Sequence, residues 1–257
     1  MIMTRINCIK LLSFFVFIVA IIMISKAEAN QLNALNKEIN NNPNNYQAHF
    51  NLAGELLRLK DYQGAAKIYQ FLIDENKNLR LPIIKPFRSA NQFLGRIHMG
   101  LGFTLDFLNE DHRAIHELDT AVEIDPQLEN HLMLQTTLGA IYGDLGIKEK
   151  ELGQYQKVIE IDPKFYQAYF NLAIALGETG KITQAITVLE KVIIVKPDYA
   201  KAYNQLGIAH EIIQNPNKSI EYYLIAQKLY SKMNDEESVR NINRRLKELY
   251  RMISSSS

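Results

Sequence analysis

Two histidines, His112 and His116, stand four residues apart, and a His-x3-His pair on one helical face is a spacing that can hold zinc. Between them lie Arg113, Ala114 and Ile115, so the glutamate that a zinc protease sets after its first histidine is missing. We read the pair as part of a solvated helix face. The chain has one cysteine, Cys8, and it contains no glycine-rich phosphate loop and no nucleophile elbow. Nor does it hold an acid pair isolated from neutralising neighbours. No cofactor, metal or catalysis is expected, and the chemistry on offer is that of binding: amides, apolar side chains and a few cations.

The stretch Pro163 to Pro197 shows which elements must carry those groups. It reads as two short amphipathic helices, Phe165 to Glu178 and Thr183 to Val195, split by Thr179-Gly180 and ended by a proline that cannot continue a helix. One such hairpin leaves an apolar face bare, so copies of it are expected alongside. A 34-residue frame does restart at Tyr46, Gly95, Leu132, Tyr166 and Ala200. Counting each of these as position 1, position 7 is always leucine (Leu52, Leu101, Leu138, Leu172, Leu206) and position 8 always small (Ala53, Gly102, Gly139, Ala173, Gly207). Position 24 is always large: Tyr69, Leu118, Tyr155, Leu189 and Tyr223. Such a pairing of large and small residues lets two helices approach closely.

The pattern resembles the tetratricopeptide repeat, with Pro126, Pro163 and Pro197 at position 32 and Ala65, Ala114 and Ala185 at position 20. The resemblance implies an all-α fold, a right-handed α-solenoid of about five helix-turn-helix units at 46–79, 95–128, 132–165, 166–199 and 200–233. Glu151 and Ser219 depart from it at position 20, where the glutamate must either splay its hairpin or find a polar partner. Lys77 and Ser231 replace the proline, and Glu129, Asn130 and His131 are extra. Leu32, Leu35 and Ile39 share one face of a helix in 30–43, which reads as an N-terminal cap. Val239, Ile242, Leu246 and Leu249 do the same for a C-terminal capping helix at 235–252, followed by a disordered serine tail at 253–257.

In that family the first helices line the concave side, with positions 2, 5, 6, 9, 12 and 13 facing a ligand. By this resemblance the groove residues are Phe50 and Asn51; Arg96, Met99 and Phe103; Phe170, Asn171 and Ile174; and Lys201, Asn204 and Gln205. Amides here would pair with the main chain of an extended peptide, and the apolar groups would take its side chains. The competing reading is that the aromatics, Phe50 and Phe170 above all, pack between units. Thr136, Ala140 and Gln205 stand where a carboxylate-gripping variant of the family needs cations and an amide, so a chaperone co-factor role is not expected.

Residues 80–94 form an insert between the first two units. It carries Pro82, Pro86 and the apolar Ile83, Ile84 and Phe87, with Ser89 a candidate N-cap for the following helix. The insert covers a joint or docks a partner. At the start, Arg5 and Lys10 precede an apolar run, Leu11 to Ser25, and the sequence Ala27-Glu28-Ala29. This is the pattern of a secretory signal peptide cleaved after Ala29, or of a retained membrane anchor. Either exports the repeats, most simply to a bacterial periplasm. Without those 29 residues the chain has 26 basic and 27 acidic residues, a balance that offers nucleic acid no concentrated basic face. The leading expectation is a non-catalytic scaffold that binds a peptide or helix of a partner protein. The alternative is a structural subunit of an envelope complex or a self-associating array.

Overall fold

A computed structural model describes residues 28–78 and 86–255. The signal or anchor run and most of the apolar part of the insert lie outside these residues. The described residues are helical throughout, without a strand: α1 (28–41), α2 (Tyr46–Arg58), α3 (Tyr62–Asn78), α4 (Ala90–Phe107), α5 (Asp111–Ile124), a short 3-10 turn at Pro126–Asn130, α6 (Leu132–Asp144), α7 (Lys148–Ile161), α8 (Tyr166–Glu178), α9 (Ile182–Val195), α10 (Ala200–Ile212), α11 (Pro216–Lys232) and α12 (Glu236–Ser255). Two compact units divide at Pro126. In the first, α2 pairs with α3 and α4 with α5, and α3 packs on α4; in the second, α6/α7, α8/α9 and α10/α11 are hairpins, joined through α7 on α8, α9 on α10 and α11 on α12.

Three of the hairpins, α4/α5, α6/α7 and α10/α11, close by the same contact. A Cβ added at Gly102, Gly139 or Gly207 would stand 2.7, 2.7 or 2.6 Å from Leu118, Tyr155 or Tyr223 respectively. The large residue at position 24 therefore lies directly on the backbone of the first helix. Tyr69 does this to the next hairpin, its ring 2.5 Å from where a Cβ of Gly100 would be, and burial pushes its phenol up to about 12.

Each hairpin also turns by the same device. Lys60, Asn109, Gly146, Gly180 and Gln214, all at position 15, have positive φ, as does Asn234 between α11 and α12. Around Lys60 its N–H meets the Leu57 carbonyl at 3.0 Å and the Asp61 N–H meets the Leu56 carbonyl at 2.8 Å. This is the Schellman pair of bonds that satisfies the last carbonyls of a helix, and it recurs at Asn109, Gly146, Gly180, Gln214 and Asn234.

The two departures at position 20 are both satisfied. Glu151, although 7% exposed, accepts from Lys148 at 2.9 Å, and its carboxylate occupies space that a side chain at Gly143 would need. Ser219 donates to the Gly207 carbonyl at 2.9 Å. The extra residues before α6 form the 3-10 turn, where Glu129 pairs with Lys157, and His131 caps α6 by accepting from the Leu134 N–H at 3.3 Å.

Some boundaries differ from the sequence reading. Ser89 accepts from the Gln92 N–H and starts α4 at Ala90, so 90–94 belong to a lengthened first helix anchored by the fully buried Phe93. The C-terminal helix takes in 253–255 as well, and Asp235 caps it by accepting from Ser238 at 3.0 Å. At the other end α1 begins at residue 28, where Glu28 pairs with Arg58 at 2.9 Å.

His210 occupies position 11, which is leucine in three other units. It is 4% exposed, stacked on Tyr222 at 5.4 Å, and neither ring nitrogen has a hydrogen-bond partner among the described residues. Burial, then the Lys218 ammonium, lower its pKa from the ordinary histidine value, against weaker opposite pulls from Glu190 and Glu221. The unfolded chain thus binds the proton more readily, so the stability contributed by neutral His210 is present above about pH 6.5 and is lost as pH falls below it.

Three outcomes follow for purified protein in urea titrations. Gly207→Ala is expected to destabilise by about 1–3 kcal/mol, because the buried Tyr223 ring cannot yield and overpacking outweighs the ~1 kcal/mol of helix propensity gained. Gly153→Ala, which has open space around it, is expected to stabilise by up to about 1 kcal/mol. His210→Leu is expected to flatten the decline in unfolding midpoint between pH 7.5 and 5; an unchanged decline would assign it to other groups.

Candidate functional site

Side chains of the first helices meet solvent differently in the two units. In the first unit Phe50 is half-buried, with its ring edge-on to Tyr69, Phe87 and Phe93 at 6.0, 6.1 and 5.4 Å. Edge contacts at these separations are the favoured geometry of packed aromatics, so Phe50 lies in the joint between α2 and α4, and Phe87 of the insert helps cover it. Asn51 is exposed and accepts from Gln47 at 2.8 Å. Arg96 and Met99 lie against each other, guanidinium to sulfur at 4.0 Å, and Phe103 is half-buried. Phe107, one turn beyond Phe103, is 56% exposed and stacks flat on Tyr62 at 4.8 Å. That pair joins residues 45 positions apart, and no local spacing announces it.

In the second unit Phe170 meets Tyr199 edge-on at 5.2 Å and packs on the cluster containing Ala173, Leu189 and Leu206. It is committed to the α8–α10 joint in the same way as Phe50 to its own. Asn171 is half-buried and Lys201 exposed. Ile174 and Gln205 line one pocket of about 290 Å³, together with Gly177, Ile182, Ile208 and Ile212. Its floor is Ala173, Ala185 and Leu189, so the opening is an apolar slot between α8 and α10 over α9, with the Gln205 amide and the Glu178 carboxylate at its edge.

Asn204 lines a neighbouring pocket of about 320 Å³ that shares Ile208 with the first. Its other wall comes from α12: Ser238, Asn241, Arg244 and Arg245. The C-terminal helix therefore contributes polar groups to the side of α10 that carries Asn204, which sequence reasoning missed. The pairing of Asn241 with Arg244, three residues apart, was visible, but its position beside Asn204 was not.

His112 and His116 are both exposed, and among the described residues no group of three His, Cys, Asp or Glu is gathered as for a metal. His98 instead forms a bond of 2.6 Å with Glu117 of the partner helix, and His49 contacts the Pro43 carbonyl at 3.0 Å. Among the described residues no helix is long and apolar enough to cross a membrane.

Comparison with known proteins places these hairpins. Residues 32–77 and 154–187 each match a family model described as tetratricopeptide repeat. The Hsp70-Hsp90 organizing protein of Triticum aestivum is 34% identical over 62 residues, which are 24% of this chain and 11% of that protein. Anaphase-promoting complex subunit 3 of Schizosaccharomyces pombe is 27% identical over 146 residues, 56% of this chain and 22% of that one. The chain thus spans about a tenth and about a fifth of the curated relatives it matches. A TPR repeat-containing protein of Cytophaga hutchinsonii superposes at a TM-score of 0.67 with 16% identity, covering 88% of this chain and 84% of the solved one. YrrB, described as a TPR protein with an unusual peptide-binding site, superposes at 0.59 with 18% identity, covering 82% and 98%. At such identities the structures show the shared α-solenoid fold alone. Two segments of the chain thus match tetratricopeptide repeat models, and the described residues share the α-solenoid fold of these structures.

Proposed function

We propose that the chain is a non-catalytic scaffold that holds an extended segment or helix of a partner protein against its first helices. Tetratricopeptide repeats generally mediate contacts between proteins, and the observation that carries the reading here is the slot lined by Ile174, Ile208 and Ile212. An apolar slot edged by one amide is suited to one aliphatic side chain whose main chain bonds to Gln205. Asn51 and Asn171 offer further amides, while Arg96, Met99 and Phe103 form the corresponding wall of the first unit. Phe50 braces the joint between α2 and α4 in the first unit, and Phe170 that between α8 and α10 in the second, through the aromatic contacts described above.

A second reading, assembly with other copies or envelope subunits, has its own observation. Leu249, Met252 and Ile253 at the end of α12 frame an open space of about 670 Å³ beside Pro216, with Met252 63% exposed and nearby Ile213 44% exposed. Against it, both capping helices turn polar faces outward: Asn33, Asn36, Lys37 and Asn40 on α1, and Arg240, Asn243 and Lys247 on α12. Export through residues 1–29 belongs to this proposal as well, supported by the charged start, apolar run and Ala-x-Ala pattern.

Crosslinking in the native cell, followed by mass spectrometry, identifies the partners. Ile174→Ser with Ile208→Ser is expected to lower their recovery at least fivefold while circular dichroism and unfolding midpoint change little, since both side chains are only half-buried. Unaltered recovery would remove the slot from the binding surface. Phe170→Ala is expected to destabilise by about 2–4 kcal/mol instead. Light scattering that shows the monomer mass at all concentrations would exclude self-association.

A further inference from the structure

The charge of this chain is unevenly placed. Residues 240–255 carry Arg240, Arg244, Arg245, Lys247 and Arg251 against Glu248, a net of +4, whereas the whole chain is +1. Two of these guanidiniums reach the pocket beside the apolar slot, and they are in different states. Arg245 donates to Glu211 at 3.1 Å, and the same carboxylate accepts from the buried Tyr223 hydroxyl at 2.6 Å, so its charge is neutralised and serves to fasten α12 to α10 and α11. Arg244 donates only to the neutral Asn241 Oδ1, at 3.1 Å, and among the described residues no carboxylate pairs with it. Asp235, at the start of the same helix, is turned away to cap it by accepting from the Ser238 N–H and hydroxyl at 3.0 and 2.7 Å.

The pocket thus gathers one uncompensated guanidinium, the amide of Asn241, and the half-buried amide of Asn204, which makes no hydrogen bond among the described residues. Guanidinium and amide N–H groups converging on one space form a receptor for a carboxylate. We propose that this pocket takes an aspartate or glutamate side chain of the bound partner, next to the aliphatic side chain that enters the slot between α8 and α10. This rests on the scaffold reading above and specifies the partner's chemistry: an acidic segment in which an aliphatic residue has a carboxylate neighbour. The two pockets share Ile208, and Asn204 and Gln205 are consecutive, so a single short segment spans both. Complementary charge at this rim also accelerates encounter with acidic partners and makes it salt-dependent.

Fluorescence anisotropy of the full-length chain tests this with two labelled nine-residue peptides. Each has a central leucine; one carries glutamate at alternate positions and the other glutamine. The glutamate peptide is expected to bind at least tenfold more tightly. Arg244→Gln is expected to erase that preference while leaving the glutamine peptide's affinity unchanged, and Asn204→Ala to reduce it severalfold. Lys247→Gln removes the same charge from the face shared with Asn243 and Tyr250, and is expected to reduce the preference less than twofold. Equal affinities for the two peptides overturn the carboxylate site, as does an equal loss in Lys247→Gln, which would indicate diffuse attraction to α12. Sedimentation with phosphatidylserine vesicles that depends on Arg244, without any preference between peptides, would assign the cation to lipid instead. In each of these cases the scaffold reading survives if Ile208→Ser weakens both peptides. If Ile208→Ser changes neither, or neither peptide binds, that reading fails too.

Discussion

A single contact, the side chain at position 24 of a hairpin resting on the backbone of the first helix, governs the rest of the structure. The rings of Tyr155 and Tyr223 and the isobutyl group of Leu118 fill the space where Gly139, Gly207 and Gly102 lack a Cβ. Close approach brings dispersion contacts along both helices and removes water from the seam. In the second unit it also sets the distance between first helices, because α7 and α9 each pack at once on their own first helix and on the next. The slot between α8 and α10 is as wide as it is because α9 lies beneath both, with Ala185 and Leu189 as its floor.

The turns are as regular as the seams, although their sequences are not. Position 15 adopts the left-handed conformation whether the residue is Gly146, Gly180, Asn109, Lys60 or Gln214. Two backbone bonds per turn hold it there, and they close over the last carbonyls of the first helix, which would otherwise be left without partners. At Lys60 and Gln214 the local preference of the residue is overridden by that requirement. Polar intrusions at position 20 are likewise absorbed: Glu151 through Lys148 and the space at Gly143, Ser219 through the Gly207 carbonyl.

The C-terminal helix has two jobs that the chain keeps on separate faces. Ile242, Leu246 and Leu249 are buried against α10 and α11 and close the core. Arg244 and Asn241 line a pocket with Asn204 of α10, past the last complete hairpin. A terminal helix must present a polar outer side to be soluble, and at this end the polar side is mainly cationic. The N-terminal cap meets the same requirement with amides, so the two ends of the chain differ in charge.

Much of the fold was legible in the sequence, because a repeat states its packing several times in register: leucine at 7, a small residue at 8 and a large one at 24 leave few ways to pair the helices. The Ser89 cap and the apolar face of α12 were legible for the same local reason. Which aromatics face a ligand was not. Phe50 and Phe170 occupy positions expected to face a groove, but Tyr69 from Phe50's own hairpin, and Phe93 and Tyr199 from neighbouring ones, come to within 5–6 Å of them. The stack of Phe107 on Tyr62 and the pocket shared by Asn204 and Arg244 also join residues distant along the chain. Periodicity determines which face of a helix is apolar, because that depends only on neighbours three and four residues away. What covers the face, and what is left open beside it, was decided by side chains from other hairpins, whose placement exists only after the units stack.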